Sequence, residues 1–367
     1  MNNKITFVIN SCDPYQLEVV NILSLPEGSR FRLRYVDRWI DSNSVSDSSL
    51  QIGMDGYIIF HHSNKFPPHE GESESIYSNF YPIRKIKLSS YEIIGNIYYF
   101  ECELCDYFDY PKSDYISSSE LIRINTTLQT EKLVLIDTED RSLINREAHN
   151  TKIDSGNKKW LRTVNALAEI PPFKDMDFYR ISRISEAKDF NTENIVPKNG
   201  VFDLKETESY EILITQFRKN AEFDINKYPK KRGVYLSGSK EISPSKEFAM
   251  AMGKYDVLRL GFSVGHVNYS TKTSININYS VSQDIDGKCD NLFSLPVILR
   301  RKKKPILKKI ILSILFATLY FLPGFISLIS STVVSQNLSD FIKDFSIICF
   351  TVSLVDSIAV YRKNNER

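Results

Sequence analysis

Disulfide chemistry is the first thing this sequence lacks. Its 367 residues hold 5 cysteines, an odd number scattered at Cys12, Cys102, Cys105, Cys289 and Cys349, which excludes a disulfide framework and fits a reducing compartment. Bulk charge is missing too. Lys and Arg number 47 against 45 Asp and Glu, a formal net charge of +2, so any electrostatic partner must be met by local clusters. No export signal is expected of the first residues: Met1-Asn2-Asn3-Lys4 leads into Ile5 to Ile9, an apolar run cut short by Asn10, Cys12 and Asp13. The residues before 300 are therefore expected in the cytosol. There is no P-loop, dinucleotide fingerprint, paired-carboxylate arrangement or internal repeat, which points away from an enzyme and from any cofactor.

What is present leans toward strand. Twenty-two Phe and 20 Tyr accompany short β-branched runs punctuated by Asn, Ser, Gly and Pro. The runs Ile5 to Ile9, Phe31 to Val36, Tyr57 to Phe60, Ile83 to Leu88, Ile97 to Glu103, Lys132 to Ile136, Tyr210 to Phe217, Val257 to Val264 and Ser274 to Val281 predict strands. Trp160, Leu161, Val164, Leu167 and Ala168 recur at helical spacing before Pro171-Pro172, and Leu17, Val20 and Leu23 predict a second helix near Gln16. Turn-rich clusters near 115 and 198 divide the chain into a β-rich domain 1–115, a helix-containing connector 116–198 and a β-sandwich-like domain 199–299. Residues 300–367 form a basic flank and an apolar tail. The fold class expected is a β-rich α+β region, two β units with a helical connector, followed by a transmembrane helical hairpin.

The hairpin is expected from hydropathy. A bilayer core roughly 30 Å thick takes about 20 apolar helical residues, and Ile310 to Val334 supplies them; Phe345 to Tyr361 is a second, shorter run. Ser335 to Asp344 reads as the polar loop between them. Arg300 to Lys304, Lys308 and Lys309 flank the first run and Arg362, Lys363 and Arg367 follow the second, so both ends are expected in the cytoplasm. Small or polar residues form a stripe in the first run at Ser313, Ala317, Tyr320, Gly324, Ser327 and Ser331, and in the second at Ser346, Cys349, Ser353 and Asp356. Helix packing explains most of the first stripe. Asp356 is an ionisable group within an apolar run, so Ser346, Ser353 and Asp356 are the expected pore-lining residues, with an interfacial carboxylate as the alternative.

Among possible sites, the run Arg30-Phe31-Arg32-Leu33-Arg34-Tyr35 places three guanidiniums on one face of a strand and three apolar groups on the other. Arginine's planar fork suits phosphate, and Arg84, Lys85 and Lys87 on another predicted strand extend the patch. The expected ligand-binding residues are thus Arg30, Arg32, Arg34, Arg84 and Lys87, with Tyr35, Tyr81, Tyr91, Tyr98 and Tyr99 as stacking faces. A solvated edge strand blunted by charge is the alternative. Gly261-Phe262-Ser263-Val264-Gly265 matches the hydrolase nucleophile pattern, but the polar, β-branched residues after it predict a turn leading to strand, where that chemistry needs a helix. Cys102-Glu103-Leu104-Cys105 lacks the second pair that a structural zinc requires. His61, His62 and His69 with Glu70, Glu72 and Glu74 read as a solvated acidic loop.

A β-rich region without catalytic residues, a basic flank and a two-helix tail over Arg300 to Arg367 resembles the membrane effectors of bacterial anti-phage abortive-infection systems, of the CBASS two-helix and Hailong types. The resemblance implies a homo-oligomeric effector or ion channel at the bacterial inner membrane. It further implies control by a nucleotide or oligonucleotide made by a partner nucleotidyltransferase. The competing readings are a binding module tethered to the lipid bilayer by an inert anchor, and a tethered hydrolase using Ser263.

Overall fold

The structure is a computed structural model. It describes residues 3–10, 13–46, 48–65, 76–108, 110, 132–137, 156–174, 176–187, 193–219, 233–279, 291–301, 311, 314–315, 317–318, 320–321 and 339–351. Strand accounts for 52% of the described residues, which makes them β-rich. The N-terminal part is a six-stranded sheet in the order β2-β5-β4-β3-β1-β6. Its strands are β1 (Lys4–Asn10), β2 (Arg30–Val36), β3 (Asp55–Lys65), β4 (Ile76–Ile94), β5 (Ile97–Tyr107) and β6 (Val134–Asp137). β1 carries five consecutive buried residues because both of its faces are covered, and it pairs parallel with β3 and antiparallel with β6. β4 and β5 form a long hairpin joined by Gly95-Asn96. Gly95 has φ +62°, the conformation that the first central position of a type II′ turn requires.

Helix α1 (Asp13–Ser24) carries the chain from β1 toward β2 and opens with Pro14 in its first turn, where a missing N–H costs nothing. No basic residue stands in its last turn. Arg84 of β4 takes that role from across the fold. Its Nη1 donates to the carbonyls of Ile22 and Leu25, both at 2.6 Å, and its Nε to Cys105 O at 2.9 Å. The Tyr107 hydroxyl donates to Leu23 O at 2.9 Å and the Arg84 guanidinium lies 4.3 Å from the Tyr107 ring centroid. A buried cation at the negative end of a helix is thereby matched by carbonyls and a ring.

Helix α2 (Gly156–Leu167) buries Trp160, Val164 and Leu167 of the stripe that the sequence pattern predicts, with Thr163 in place of half-buried Leu161. Val8, Tyr57, Ile59, Phe80, Phe108, Tyr110 and Leu135 form a buried cluster on the sheet, with Ala166 of α2 against it. Phe7, Tyr35 and Phe100 meet in a separate aromatic group, with Phe7 and Phe100 centroids 5.0 Å apart.

The C-terminal strands are β7 (Phe178–Glu186), β8 (Phe202–Lys205), β9 (Ser209–Phe217), β10 (Gly233–Gly238), β11 (Ile242–Lys246), β12 (Phe248–Met250), β13 (Tyr255–Val264), β14 (Thr271–Tyr279) and β15 (Asn291–Arg300). They make a five-stranded sheet, β12-β10-β14-β15-β8, and a four-stranded one, β11-β13-β9-β7. Aromatic rings bridge the two: Tyr179 of β7 stands 5.3 Å from Tyr279 of β14, which also touches Phe293 of β15. Asp177 is buried beside β7, where its carboxylate accepts from Gln216 Nε2 at 2.7 Å and pairs with Arg218 at 3.2 Å. By contact density, one compact unit comprises 1–203, 208–263 and 274–297, and a second comprises 204–207, 264–273 and 298–367.

The tail corrects the sequence reading. Among the described residues no helix is long and apolar enough to cross a membrane, which overturns the transmembrane hairpin and with it the multi-pass inner-membrane location. The channel and anti-phage effector readings lose the premise they drew on. Helix 339–351 shows why the polar tract misled. Asp340, Lys343 and Asp344, read as a loop in water, are helical, so three charges belong to the helix that the second apolar run was to start. Most of 310–334 and all of 352–361 lie outside the described residues.

Candidate functional site

Strand β2 is an edge of the six-stranded sheet, hydrogen-bonded on one side to β5. Its alternation is the one that the sequence shows: Leu33 and Tyr35 are buried, and Arg30, Arg32 and Arg34 are exposed. The register places these guanidiniums in rows. Arg30 lies opposite Glu103, Arg32 opposite Glu101 and Arg34 opposite Tyr99, while β4 continues the rows with Lys87, Ser90 and Glu92. Outer positions on β2 are thus all cationic, those on β5 are acidic or aromatic, and those on β4 are mixed.

Ion pairs cross this surface diagonally. Arg30 Nη1 meets Glu101 Oε2 at 3.1 Å and Arg32 Nη2 meets Glu92 Oε2 at 3.4 Å. Ser90 Oγ donates to the same Glu101 oxygen at 3.1 Å. The paired side chains are 35 to 62% exposed, so each pair is worth at most about 1 kcal/mol and leaves its arginine available to another anion. Arg34 makes no ion pair among the described residues. The Arg32 guanidinium also lies 4.3 Å from the Tyr99 ring centroid. Arg32, Ser90, Tyr91, Glu92, Tyr99 and Glu101 line an open cleft of about 190 Å³.

Of the residues expected to bind a ligand, Arg30, Arg32, Arg34 and Lys87 share this face. Arg84 does not. It is buried, its pKa lowered by burial, with its guanidinium spent on the end of α1. Tyr91 and Tyr99 reach the cleft, whereas Tyr35 and Tyr81 are buried. Of the expected pore residues, Ser346 is buried in helix 339–351, and Ser353 and Asp356 lie outside the described residues.

The catalytic signals find no matching geometry among the described residues. Gly261 to Val264 belong to β13, and the chain passes through an irregular segment into β14, so the sharp strand-to-helix turn that makes a serine nucleophilic is missing. Ser263 Oγ donates to Ser243 O at 3.4 Å. Cys102 and Cys105 stand three residues apart on β5 and so face opposite sides of the sheet. Burial pushes both thiols up, away from the reactive thiolate. His61 stacks on Phe80 at 4.5 Å and bonds Asn10 Oδ1 at 3.2 Å, while His69, Glu70, Glu72 and Glu74 lie outside the described residues. Among the described residues no group of three or more side chains could hold a metal ion.

One arrangement escaped the sequence reading. Exposed His266 meets buried Glu206 at 2.7 Å through Nδ1, and the same carboxylate oxygen accepts the Val267 N–H at 3.1 Å. Sixty residues separate the two partners, and each looks ordinary in its own segment.

Comparison with known proteins adds little. No family model matches the chain and no curated protein matches it. Among solved structures, a Bacteroides ovatus GH5 xyloglucanase in complex with a XXXG heptasaccharide matches 32% of this chain and 19% of its own at 7% identity and a TM-score of 0.16. The chain thus spans about a fifth of that enzyme's length, and a likeness this slight carries no argument.

Proposed function

We propose that this protein is a binding module that takes an anionic ligand on the outer face of β2. The observation that carries the reading is the row of exposed guanidiniums at Arg30, Arg32 and Arg34, with Arg34 in no ion pair among the described residues. Charge-assisted bonds from arginine to carboxylate or phosphate are about twice as strong as neutral ones, and a row spaced by two residues reads charge along a line. A compact polyphosphate would meet Glu92 and Glu101 together with Arg32, so the reading favours single negative groups spaced along a chain over a clustered polyanion.

Poly-L-glutamate provides the probe. The native protein is expected to bind it at low ionic strength and to release it as salt rises, because exposed charges are screened beyond about 8 Å at 0.15 M salt. Arg32→Glu/Arg34→Glu is expected to weaken binding about tenfold or more, a loss of about 1.4 kcal/mol. The urea midpoint should fall only slightly, because the pair lost to Glu92 and the like charge set opposite Glu101 are exposed, where such terms stay within about 1 kcal/mol. Fluorescence anisotropy of labelled probe gives the affinity. Equal binding by native and variant protein would sink the reading and leave the arginines as charges that keep an edge strand from pairing.

A further inference from the structure

We infer that the ligand is itself a strand: an extended segment of a partner polypeptide, alternating acidic and apolar residues, that adds to the open edge of β2. The inference rests on the anionic-ligand reading and deepens it. Four observations support it. β2 ends the six-stranded sheet, and among the described residues no strand pairs with its outer side, so its backbone N–H and C=O groups there offer a ready template. The edge runs seven residues, long enough for a stable strand pairing. All three outward side chains of Arg30, Arg32 and Arg34 carry the same charge, so an added strand with carboxylates at alternate positions would set each one beside a guanidinium. The opposite phase of β2 holds half-buried Phe31 and buried Leu33 and Tyr35, so the alternate residues of the incoming strand would extend an apolar face.

Charge also decides against the simplest competitor. A second copy joined edge to edge about Leu33 would place Arg32 of one chain against Arg34 of the other, and like charges directly opposite are destabilising. The start of the edge is also partly screened. A β-carbon on Gly200 would come 2.6 Å from Arg30 Cγ, so the turn at Asn199-Gly200, both with positive φ, packs against that end. The Arg32 to Val36 stretch is the part left for a partner.

Strand addition uses backbone hydrogen bonds on one side only, and this gives the test. Three capped peptides as long as β2, 7 residues of alternating glutamate and valine, are compared: unmodified, N-methylated on the glutamates, and N-methylated on the valines. In one phase methylation removes N–H groups that face β2, and in the other it removes groups that face solvent. Native protein should bind the unmodified peptide and one methylated form alike. The other form should bind about tenfold or more weakly at unchanged charge, about 1.4 kcal/mol. Amide hydrogen exchange within Arg30–Val36 should slow when the unmodified peptide is bound. If both methylated peptides bind like the parent while Arg32→Glu/Arg34→Glu binds none of them, strand addition is wrong and the anionic-ligand reading stands. If the parent peptide fails to bind while poly-L-glutamate binds, strand addition is wrong and the anionic-ligand reading stands; if neither binds, or the variant binds both equally well, both readings fall.

Discussion

Arg84 stabilises the fold by donating to backbone carbonyls at the end of α1 and on β5. Replacing it by methionine keeps the apolar stem but leaves the carbonyls of Ile22, Leu25 and Cys105 without this donor, at about 1–3 kcal/mol for each buried group left unpaired. Arg84→Met is therefore expected to cost about 3 kcal/mol or more, read as a fall in the urea midpoint at constant slope. Arg84→Lys should recover little, because a point charge cannot span the same acceptors. Glu18 shows the opposite kind of strain. Burial raises its pKa above the ordinary carboxylate value, so folding favours its neutral form. With the folded value raised, stability is fullest below the unfolded pKa and is lost as pH rises through the folded one. Glu18→Gln should thus raise the melting temperature at pH 7, leave it nearly unchanged at pH 4, and flatten the curve between. Part of this residue-scale picture was legible in the sequence. Arg84, Ile86 and Leu88 share one phase of a strand and Lys85 and Lys87 the other, so alternation alone sets Arg84 inward and separates it from Lys87. What the sequence hid was the reason a charge is tolerated there, because two of the carbonyls that meet it come from residues some sixty positions earlier and the third from Cys105 on the next strand.

At the scale of elements, two glycines set the geometry of the six-stranded sheet. Gly95 turns the β4–β5 hairpin, and Gly95→Val, a β-branched residue at positive φ, is expected to cost about 1–2 kcal/mol or more, measured by chemical denaturation. Gly56 lets β3 lie against β1, since a β-carbon there would overlap the carbonyl oxygen of Ile5. Gly56→Ala should accordingly disturb the parallel pairing itself, seen as faster hydrogen exchange in Lys4–Asn10. Strands that alternate were legible, β2, β5 and β9 among them, as were the short apolar run of β1 and both amphipathic helices. Others broke the pattern for identifiable reasons. β7 carries a bulge between Ile181 and Arg183, which interrupts the two-residue period. β11 holds Pro244 and little apolar character, and β12 is only three residues long. β15 alternates well, with Phe293, Leu295, Val297 and Leu299 all buried, yet Pro296, which has no N–H to donate to a ladder, argues against an inner strand at the level of sequence. The candidate face followed the same rule: the arginine row was visible in β2, but the carboxylates that share it come from β4 and β5, whose register no single segment encodes.

For the molecule as a whole, hydropathy counted the apolar residues of the tail but did not say which of them are helical together. Helix 339–351 buries Ser346 at 2% exposure and leaves Ile347 and Ile348 at 49% and 63%. Ile347→Lys/Ile348→Lys is expected to raise the ammonium sulfate concentration at which the protein precipitates while the strand signal in circular dichroism stays constant, because exposed apolar groups drive association. The contact between Asn21 and Tyr279 has a different reach. The α1 side chain accepts the tyrosine hydroxyl at 2.5 Å across 258 residues of chain, and α1 itself lies against β7. During synthesis the first helix therefore emerges long before the strand that closes over it. The face of α1 that meets β7 stays open until about half of these 367 residues have been made, and the Asn21 contact waits for about three quarters, a setting for slow folding and for dependence on chaperones, since contacts this distant must wait for loop closure before they reward it.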